Sequence, residues 1–188
     1  MRAKVKVLCE GLIRRQGKAV LEAHSSSTLV ESEGDLMVVD TSSSAYRPRI
    51  VASLQALGIG PESISVVVNT HGHFDHCSNN DLFPRARLIA FESEPEHEGE
   101  ETELTGPVRL VRTPGHTPGS VSVFVQAERR YAIVGDAMPT IDNYLRWVPP
   151  GINYDREKAL RSMRRIVDWA EVVVPGHGPP FEIRDKVQ

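Results

Sequence analysis

Three histidines and one aspartate lie within six consecutive positions of this chain, directly after an apolar run. Residues 66–76 read VVVNTHGHFDH, and the β-branched run predicts a short buried strand just before these residues. In an extended segment residues i and i+2 point the same way, so His71 and His73 can bind one cation from one side. Asp75 and His76 face a different direction and suit a second cation beside the first. Imidazole nitrogens with one carboxylate fit Zn²⁺, and less selectively iron or manganese, so the pattern favours a metal site over a polar surface loop.

Three later segments complete a pattern that resembles the metallo-β-lactamase superfamily. The spacing His-x-His-x-Asp-His over residues 71–76 resembles the signature of that family. The turn TPGHTPGS carries His116, an apolar strand ends in Asp136, and the run VVVPGHG carries His177, in the order of the family's later ligands. The resemblance extends over nearly the whole chain. It implies an α/β fold, a four-layer αββα sandwich with a dinuclear metal site at one edge.

The resemblance also implies two divalent metal ions, with Zn as the first choice and Fe or Mn as alternatives. The expected ligands of the first ion are His71, His73 and His116. The expected ligands of the second ion are Asp75, His76 and His177, and Asp136 is expected to bind both ions. Two such ions can share a bridging hydroxide that is nucleophilic at neutral pH. Asp75 is the expected catalytic residue, because its carboxylate can orient that hydroxide.

Asp40 ends another apolar run, residues 36–40, and permits two interpretations. In the resembling family a carboxylate at such a position supports the metal-binding loop by hydrogen bonding, from behind the ligands. The alternative is a residue that only turns the chain at the end of a strand. The sequence leaves these two interpretations equally open.

The expected reaction is hydrolysis, and the sequence favours one substrate class only slightly over another. The segment 172–181 resembles relatives credited with RNA cleavage, which favours a phosphodiester such as single-stranded RNA. A lactone or a thioester is the alternative, because the family is known for promiscuity among such esters. An alternative of another class is a mononuclear iron persulfide dioxygenase, since those enzymes resemble this chain in the same motifs.

A long segment without a clear periodic pattern, residues 137–154, follows the carboxylate of Asp136. Such segments inside compact domains are usually functional, so this one is predicted to face the substrate. Within it, Tyr144, Arg146 and Trp147 combine aromatic faces with a cation, which suits stacking and phosphate contact on a single strand. The alternative is that the segment covers apolar surface elsewhere in the molecule.

The composition is that of an ordinary globular protein, with 188 residues, 40% of them hydrophobic and 25% charged, and predicts a single domain over residues 1–188. A formal net charge of −3 argues against a general binder of nucleic acid or anionic membranes. No apolar run reaches membrane-spanning length, and two cysteines make no disulfide framework, so a cytoplasmic location is expected. The expected partners are a small-molecule ester or single-stranded RNA as substrate and a second copy of the chain in a homodimer, with no membrane.

The stretch 92–106 contains seven glutamates and no basic residue, and it is predicted to form a solvated acidic surface loop. A metal-recruiting lip that includes His97 is the alternative. Near the N-terminus, Lys4–Ile13 and Ala19–Thr28 are predicted to be the two strands of one hairpin. Helices are predicted over Arg47–Leu57 and from Asp155 onward.

Overall fold

The computed structural model describes residues 2–17, 19–90 and 100–184. Within them the strands are β1 Lys4–Cys9, β2 Leu12–Gln16, β3 Ala19–His24, β4 Ser27–Ser32, β5 Asp35–Val39, β6 Val66–Val68, β7 Arg87–Ile89, β8 Glu101–Thr105, β9 Val108–Arg112, β10 Val121–Gln126, β11 Arg130–Gly135, β12 Val172–Pro175 and β13 Phe181–Glu182. The α-helices of the same residues are α1 Arg47–Ala56, α2 Phe74–Cys77, α3 Ile141–Leu145 and α4 Arg156–Trp169. None of these helices combines the length and the apolar character that crossing a bilayer requires.

The strands form two large sheets and one separate hairpin. The first sheet has the order β1-β4-β5-β6-β7, and the second has the order β13-β12-β11-β10-β9-β8. Strands β5, β6 and β7 run parallel, and the three valines of β6 are all buried, as is usual for a central parallel strand. Strands β2 and β3 pair with each other as a two-stranded sheet.

Three buried apolar clusters separate four layers. The central cluster contains side chains from both sheets, for example Val39 of β5 and Val123 of β10. A second cluster contains Ile50 of α1 together with side chains of the first sheet. A third contains Ile166 of α4 together with side chains of the second sheet. The order helix, sheet, sheet, helix confirms the predicted αββα sandwich.

The predicted N-terminal hairpin is wrong in its pairing. Each predicted strand is split in two, so that β1 pairs with β4 and β2 pairs with β3. The first break falls at Gly11, where an added Cβ would overlap backbone atoms of Ser26 and Gly176. Because only glycine permits this close approach, the chain bends there, and β2 and β3 form a hairpin separate from the first sheet.

The predicted acidic loop over residues 92–106 is wrong in its C-terminal part. Glu101–Thr105 form β8, which pairs antiparallel with β9. The glutamates are accommodated because cations face them, as Arg109 of β9 does when it donates to Glu101. Residues 91–99, which include the histidine of the alternative lip, lie outside the described residues.

The two long predicted helices are confirmed as α1 and α4. Helix α4 begins after Asp155, whose side chain accepts a hydrogen bond from the backbone N–H of Lys158 at 2.9 Å. Its buried residues include Met163 and Ile166, which pack on the second sheet, while charged residues occupy the opposite face.

Candidate metal centre

The seven predicted ligand residues come together at one edge of the two sheets. Strand β6 ends at Val68, and the chain continues through Thr70 into the first two histidines. The backbone N–H of Val121, at the start of β10, donates to the carbonyl oxygen of Thr70 at 2.8 Å, which connects the two sheets at this edge. Helix α2 carries the next two ligands, and the remaining ones follow strand ends: His116 after β9, Asp136 after β11 and His177 after β12.

Three imidazoles form the first group of possible ligands. Nδ1 of His73 lies 3.0 Å from Nε2 of His71 and 3.0 Å from Nε2 of His116. A tetrahedral zinc ion with bonds of about 2.0–2.1 Å separates its nitrogen ligands by roughly 3.3 Å. The three nitrogens are therefore close to the spacing that such an ion requires.

Asp136 lies between this first group and a second group made of Asp75, His76 and His177. Its Oδ2 atom is 3.5 Å from Nε2 of His116 in the first group. Its Oδ1 atom is 3.5 Å from Nε2 of His76 and 3.3 Å from Nε2 of His177 in the second group. The two oxygens of one carboxylate thus face different groups, which is the arrangement that a bridging ligand needs.

Backbone carbonyl groups orient two of these histidines. Nδ1 of His116 donates to the carbonyl oxygen of Ile152 at 2.6 Å, and Nδ1 of His177 donates to that of His24 at 2.9 Å. A carbonyl oxygen can only accept, so each neutral ring carries its proton on Nδ1. The lone pair on Nε2 of each ring therefore points into the cluster, as a metal ligand requires.

Asp40 lies behind the loop that carries the predicted ligands, and its hydrogen bonds agree with both interpretations of its role. Its carboxylate accepts hydrogen bonds from the backbone N–H and the hydroxyl of Thr70, at 2.7 and 2.8 Å, and from Nδ1 of His76, at 2.7 Å. Asp40 also has a backbone φ of 55°, so it turns the chain at the end of β5 as well. Since the Thr70 hydroxyl donates to Asp40, it accepts from Nδ1 of His71 at 3.2 Å.

The chemistry of the cluster fits bound cations. Nε2 of His76 and Oδ1 of Asp136 are buried and have no hydrogen-bond partner among the described residues. The Nδ1 atoms of His76, His116 and His177 donate outward, so when these rings are neutral each turns a lone-pair nitrogen to the centre, where the carboxylate oxygens are acceptors as well. Buried acceptors without donors are costly, and divalent cations satisfy them by coordination.

Burial and neighbouring charges shift the pKa values of the ligand residues in two directions. Burial disfavours the charged forms of His76 and His177, but the carboxylates beside them outweigh it and raise both pKa values, so a proton must leave when a metal ion binds there. Burial, together with nearby imidazoles, holds the pKa of His71 well below its usual value, and burial also lowers the pKa of His116. Burial raises the pKa of Asp136, but the adjacent imidazoles of His177 and His76 outweigh it and hold that pKa well below its ordinary range. Neutral His71 and His116 and an ionised Asp136 are consequently expected at neutral pH.

A pocket of about 200 Å³ opens onto the ligands. The hairpin of β2 and β3 supplies one wall, with Ile13, Arg15, Val20 and Ala23. The predicted substrate-facing segment supplies the other wall, with Pro139, Pro150, Gly151 and Ile152. A larger groove, of about 1020 Å³, is lined by residues of β1 and β13 and contains none of the ligands. The smaller pocket is therefore the one at which chemistry can occur.

The three residues predicted to contact the substrate do not line this pocket. The ring of Tyr144 stacks on Phe181 with centroids 5.6 Å apart, and Trp147 lies in the apolar cluster under α4. Arg146 is exposed, and its Nη2 atom lies 3.9 Å from Oδ2 of Asp142 in an ion pair on the surface. For the two aromatic residues the alternative interpretation is the right one, because their apolar area is used to cover the core.

The hairpin of β2 and β3 contributes to the pocket in a way that the sequence does not predict. Ile13 and Arg15 are two positions apart on β2 and both line the pocket, as the alternation of a strand allows. The alternation itself was visible in the sequence, but nothing local to it indicates that the hairpin lies over the metal ligands.

Comparisons with known proteins give the family. The model of the metallo-beta-lactamase superfamily matches residues 21–104 and 88–177. A protein of Methanocaldococcus jannaschii described as a probable metallo-hydrolase is 36% identical over 177 residues, covering 92% of this chain and 86% of that protein. Metallo-beta-lactamase domain-containing protein 1 of Xenopus laevis is 32% identical over 193 residues, covering 95% of this chain and 81% of that protein. The structure of Bacillus thuringiensis AiiA with N-decanoyl-L-homoserine bound at the active site has a TM-score of 0.73 at 21% identity, covering 94% and 92% of the two chains, and shows a shared fold.

The chain belongs to the metallo-β-lactamase superfamily, and the resemblance seen in the sequence is confirmed. It is a metal-dependent hydrolase of that superfamily, and membership implies that it binds divalent metal. The further resemblance of segment 172–181 to metallo-β-lactamase domain-containing protein 1 agrees with the Xenopus relative.

Proposed function

We propose that this protein uses two divalent metal ions, zinc in the first instance, to hydrolyse a small carboxylic ester such as a lactone. The observation that carries the proposal is the position of Asp136, whose two oxygens face two separate ligand groups beneath a small pocket. His71, His73 and His116 would hold one ion, Asp75, His76 and His177 the other, and Asp136 both.

When bound, a pair of divalent ions supplies electrophilic polarisation of the scissile carbonyl group and lowers the pKa of a water molecule. The side chain of Asp75 lines the pocket and is accessible from it, so its carboxylate can accept a hydrogen bond from the attacking water and orient it. Asp75 thereby takes the catalytic role that its position in the motif predicts.

The pocket favours a small ester over RNA. A volume of about 200 Å³ accepts a compact reactive group, and most of the wall is aliphatic or proline. The aromatic residues that were expected to stack on bases pack on the core instead. N-decanoyl-L-homoserine, bound in the structurally similar AiiA, is the ring-opened form of a lactone, which supports the same substrate class.

A phosphodiester is the second candidate. It is favoured by the two adjacent ligand groups, because paired metal ions suit in-line attack at phosphorus. A mononuclear iron dioxygenase carries the same motifs, so metal content and oxygen uptake are what distinguish it from a hydrolase.

A substrate panel measured side by side tests the proposal. It contains γ-butyrolactone, a glutathione thioester, bis-p-nitrophenyl phosphate and single-stranded RNA, with His73→Ala as the metal-site control. We expect hydrolysis of the lactone, its loss in His73→Ala, and about two transition-metal ions per chain by elemental analysis. Cleavage confined to the phosphodiesters would put the second candidate in first place. One firmly bound iron, with oxygen uptake on glutathione persulfide, would refute hydrolysis altogether.

A further inference from the structure

The hairpin of β2 and β3 turns four side chains toward the pocket through a break in its register. Ile13 lies opposite Ala23, and Arg15 lies opposite Val20, so that Leu21 is an extra residue on β3. Without the extra residue, positions 20 and 23 would point to opposite faces, because side chains alternate along a strand. The bulge lets both face the pocket, and re-aiming side chains beside active sites is a common use of β-bulges.

Among the described residues that line this pocket, Arg15 is the one arginine or lysine. Its guanidinium makes no ion pair or hydrogen bond with any residue that the structure describes. The preceding residue, Arg14, points to the other face and is paired with Glu22 at 3.4 Å. The two adjacent arginines therefore differ in their pairing: Arg14 is paired with Glu22, while the guanidinium N–H groups of Arg15 can donate to a group in the pocket.

Arg15 also reaches across the mouth of the pocket. A Cβ built on Gly151, in the opposite wall, would lie 3.5 Å from Nη1 of Arg15. The same guanidinium lines an outer cavity of about 540 Å³ that shares Ile13 and Pro139 with the pocket. A group bound by Arg15 would therefore sit at the junction of the two cavities, next to the metal ligands.

We propose that Arg15 determines specificity by binding a carboxylate of the substrate, so that the substrate class is a compact lactone or ester that carries its own negative charge beside the scissile bond. This inference rests on the proposed function. A guanidinium binds a carboxylate through two parallel hydrogen bonds, and such charge-assisted bonds are about twice as strong as neutral ones. The carboxylates of Asp75 and Asp136 line the same pocket and repel anions, so this binding requires the metal-loaded protein.

Two matched lactones test the proposal: 5-oxotetrahydrofuran-2-carboxylate and γ-valerolactone, which carry a carboxylate or a methyl group at the same ring position. We expect the metal-loaded protein to prefer the carboxylate by about ten-fold in kcat/KM, the low end for a charge-assisted bond because Arg15 is exposed. Arg15→Ala should abolish this preference, Arg15→Lys should retain part of it, and Arg14→Ala, on the other face of the hairpin, should keep it. The preference should also weaken as the ionic strength is raised.

A binding measurement separates failure of this inference from failure of the proposed function. Calorimetric titration with 3-oxocyclopentane-1-carboxylate, which has no ester to hydrolyse, should show binding that Arg15→Ala weakens about ten-fold and Arg14→Ala leaves intact. If neither lactone is hydrolysed, the proposed function fails, and the titration alone decides the role of Arg15. Equal binding in the native protein and Arg15→Ala, no binding in the native protein, or an equal loss in Arg14→Ala overturns the inference.

Discussion

Asp40→Asn is the most informative single change, because it should remove a metal ion without unfolding the protein. In the native protein one oxygen of Asp40 accepts from the backbone N–H of Thr70, and the other accepts from Nδ1 of His76. Asparagine can keep the first bond with its carbonyl oxygen. Its NH₂ group then faces Nδ1 of His76. That nitrogen can accept a hydrogen bond from the NH₂ group when the ring carries its proton on Nε2 instead. The hydrogen bonds with the Thr70 backbone and with His76 are thereby remade, whereas the Thr70 hydroxyl, which donates to the same oxygen as His76 in the native protein, loses that acceptor. Nε2 of His76 no longer offers a lone pair to the second ligand group.

The expected magnitudes follow from these contacts. Loss of a hydrogen-bonding partner behind a metal ligand typically lowers metal affinity about 10–100-fold. Because the Thr70 hydroxyl is the donor left without its acceptor, we expect the free energy of unfolding of the metal-free protein to fall by about 1 kcal/mol, the low end for one unsatisfied buried donor. Asp40→Ala is the matched comparison, since it leaves buried donors of Thr70 and His76 without partners, at a cost of about 1–3 kcal/mol each.

Metal content and urea unfolding, measured on the same preparations, check this prediction. Asp40→Asn should retain about one metal ion per chain at limiting metal, with near-native stability after chelation. A variant that keeps two tightly bound ions would refute the tautomer argument. A variant that unfolds as readily as Asp40→Ala would refute the claim that the hydrogen bonds are remade.

Three further predictions follow from other parts of the molecule. Asp136→Ala should reduce kcat on the hydrolysed ester by more than about 100-fold at saturating metal, and by more than Asp40→Ala does. The reason is that Asp136 faces both ligand groups, while Asp40 acts through His76. A larger loss of kcat in Asp40→Ala would contradict the bridging role. Trp147→Ala should lower the free energy of unfolding by about 1–3 kcal/mol with little change in kcat/KM. The reason is that the Trp147 ring does not line the pocket and has its centroid 4.7 Å from Cζ of Arg164. A loss of kcat/KM without a loss of stability would show that Trp147 contacts the substrate. Burial raises the pKa of Cys9 from 9.0 to about 11, so the fold favours the thiol, and a contribution on the order of 3 kcal/mol that is fully present below pH 9 should be lost as the pH rises to 11. Urea unfolding at pH 8 and pH 10.5 should show this loss in the native protein relative to Cys9→Ala, and equal losses in both would contradict it.

The ligands could be predicted from the sequence because their geometry is largely local. His71 and His73 are two residues apart at a strand end, and their relative orientation follows from the alternation of extended backbone. The remaining ligands, two on helix α2 and three that follow strand ends, are assigned by the order of motifs and the family resemblance. The position of Asp40 behind the loop could be only half predicted, since the same carboxylate also suits a turn.

The walls of the pocket could not be predicted, because they depend on contacts between distant parts of the chain. The hairpin of β2 and β3 exists as a separate element because the backbone packs closely around Gly11, which involves Ser26 and Gly176. The sequence favours a substrate contact for Tyr144 and Trp147, but aromatic side chains serve equally to stack on a substrate and to pack on the core, as these two do. Only the packing partners distinguish the two uses, and these are set by tertiary structure.

The central claim is that two metal ions share Asp136. Anomalous diffraction from crystals of the protein purified without chelator, collected at the absorption edge of the bound metal, tests it most directly. We expect two peaks about 3.5–4 Å apart, one beside His71, His73 and His116 and one beside Asp75, His76 and His177, with an oxygen of Asp136 next to each. A single peak, with the second ligand group empty in fully metal-loaded crystals, would contradict it.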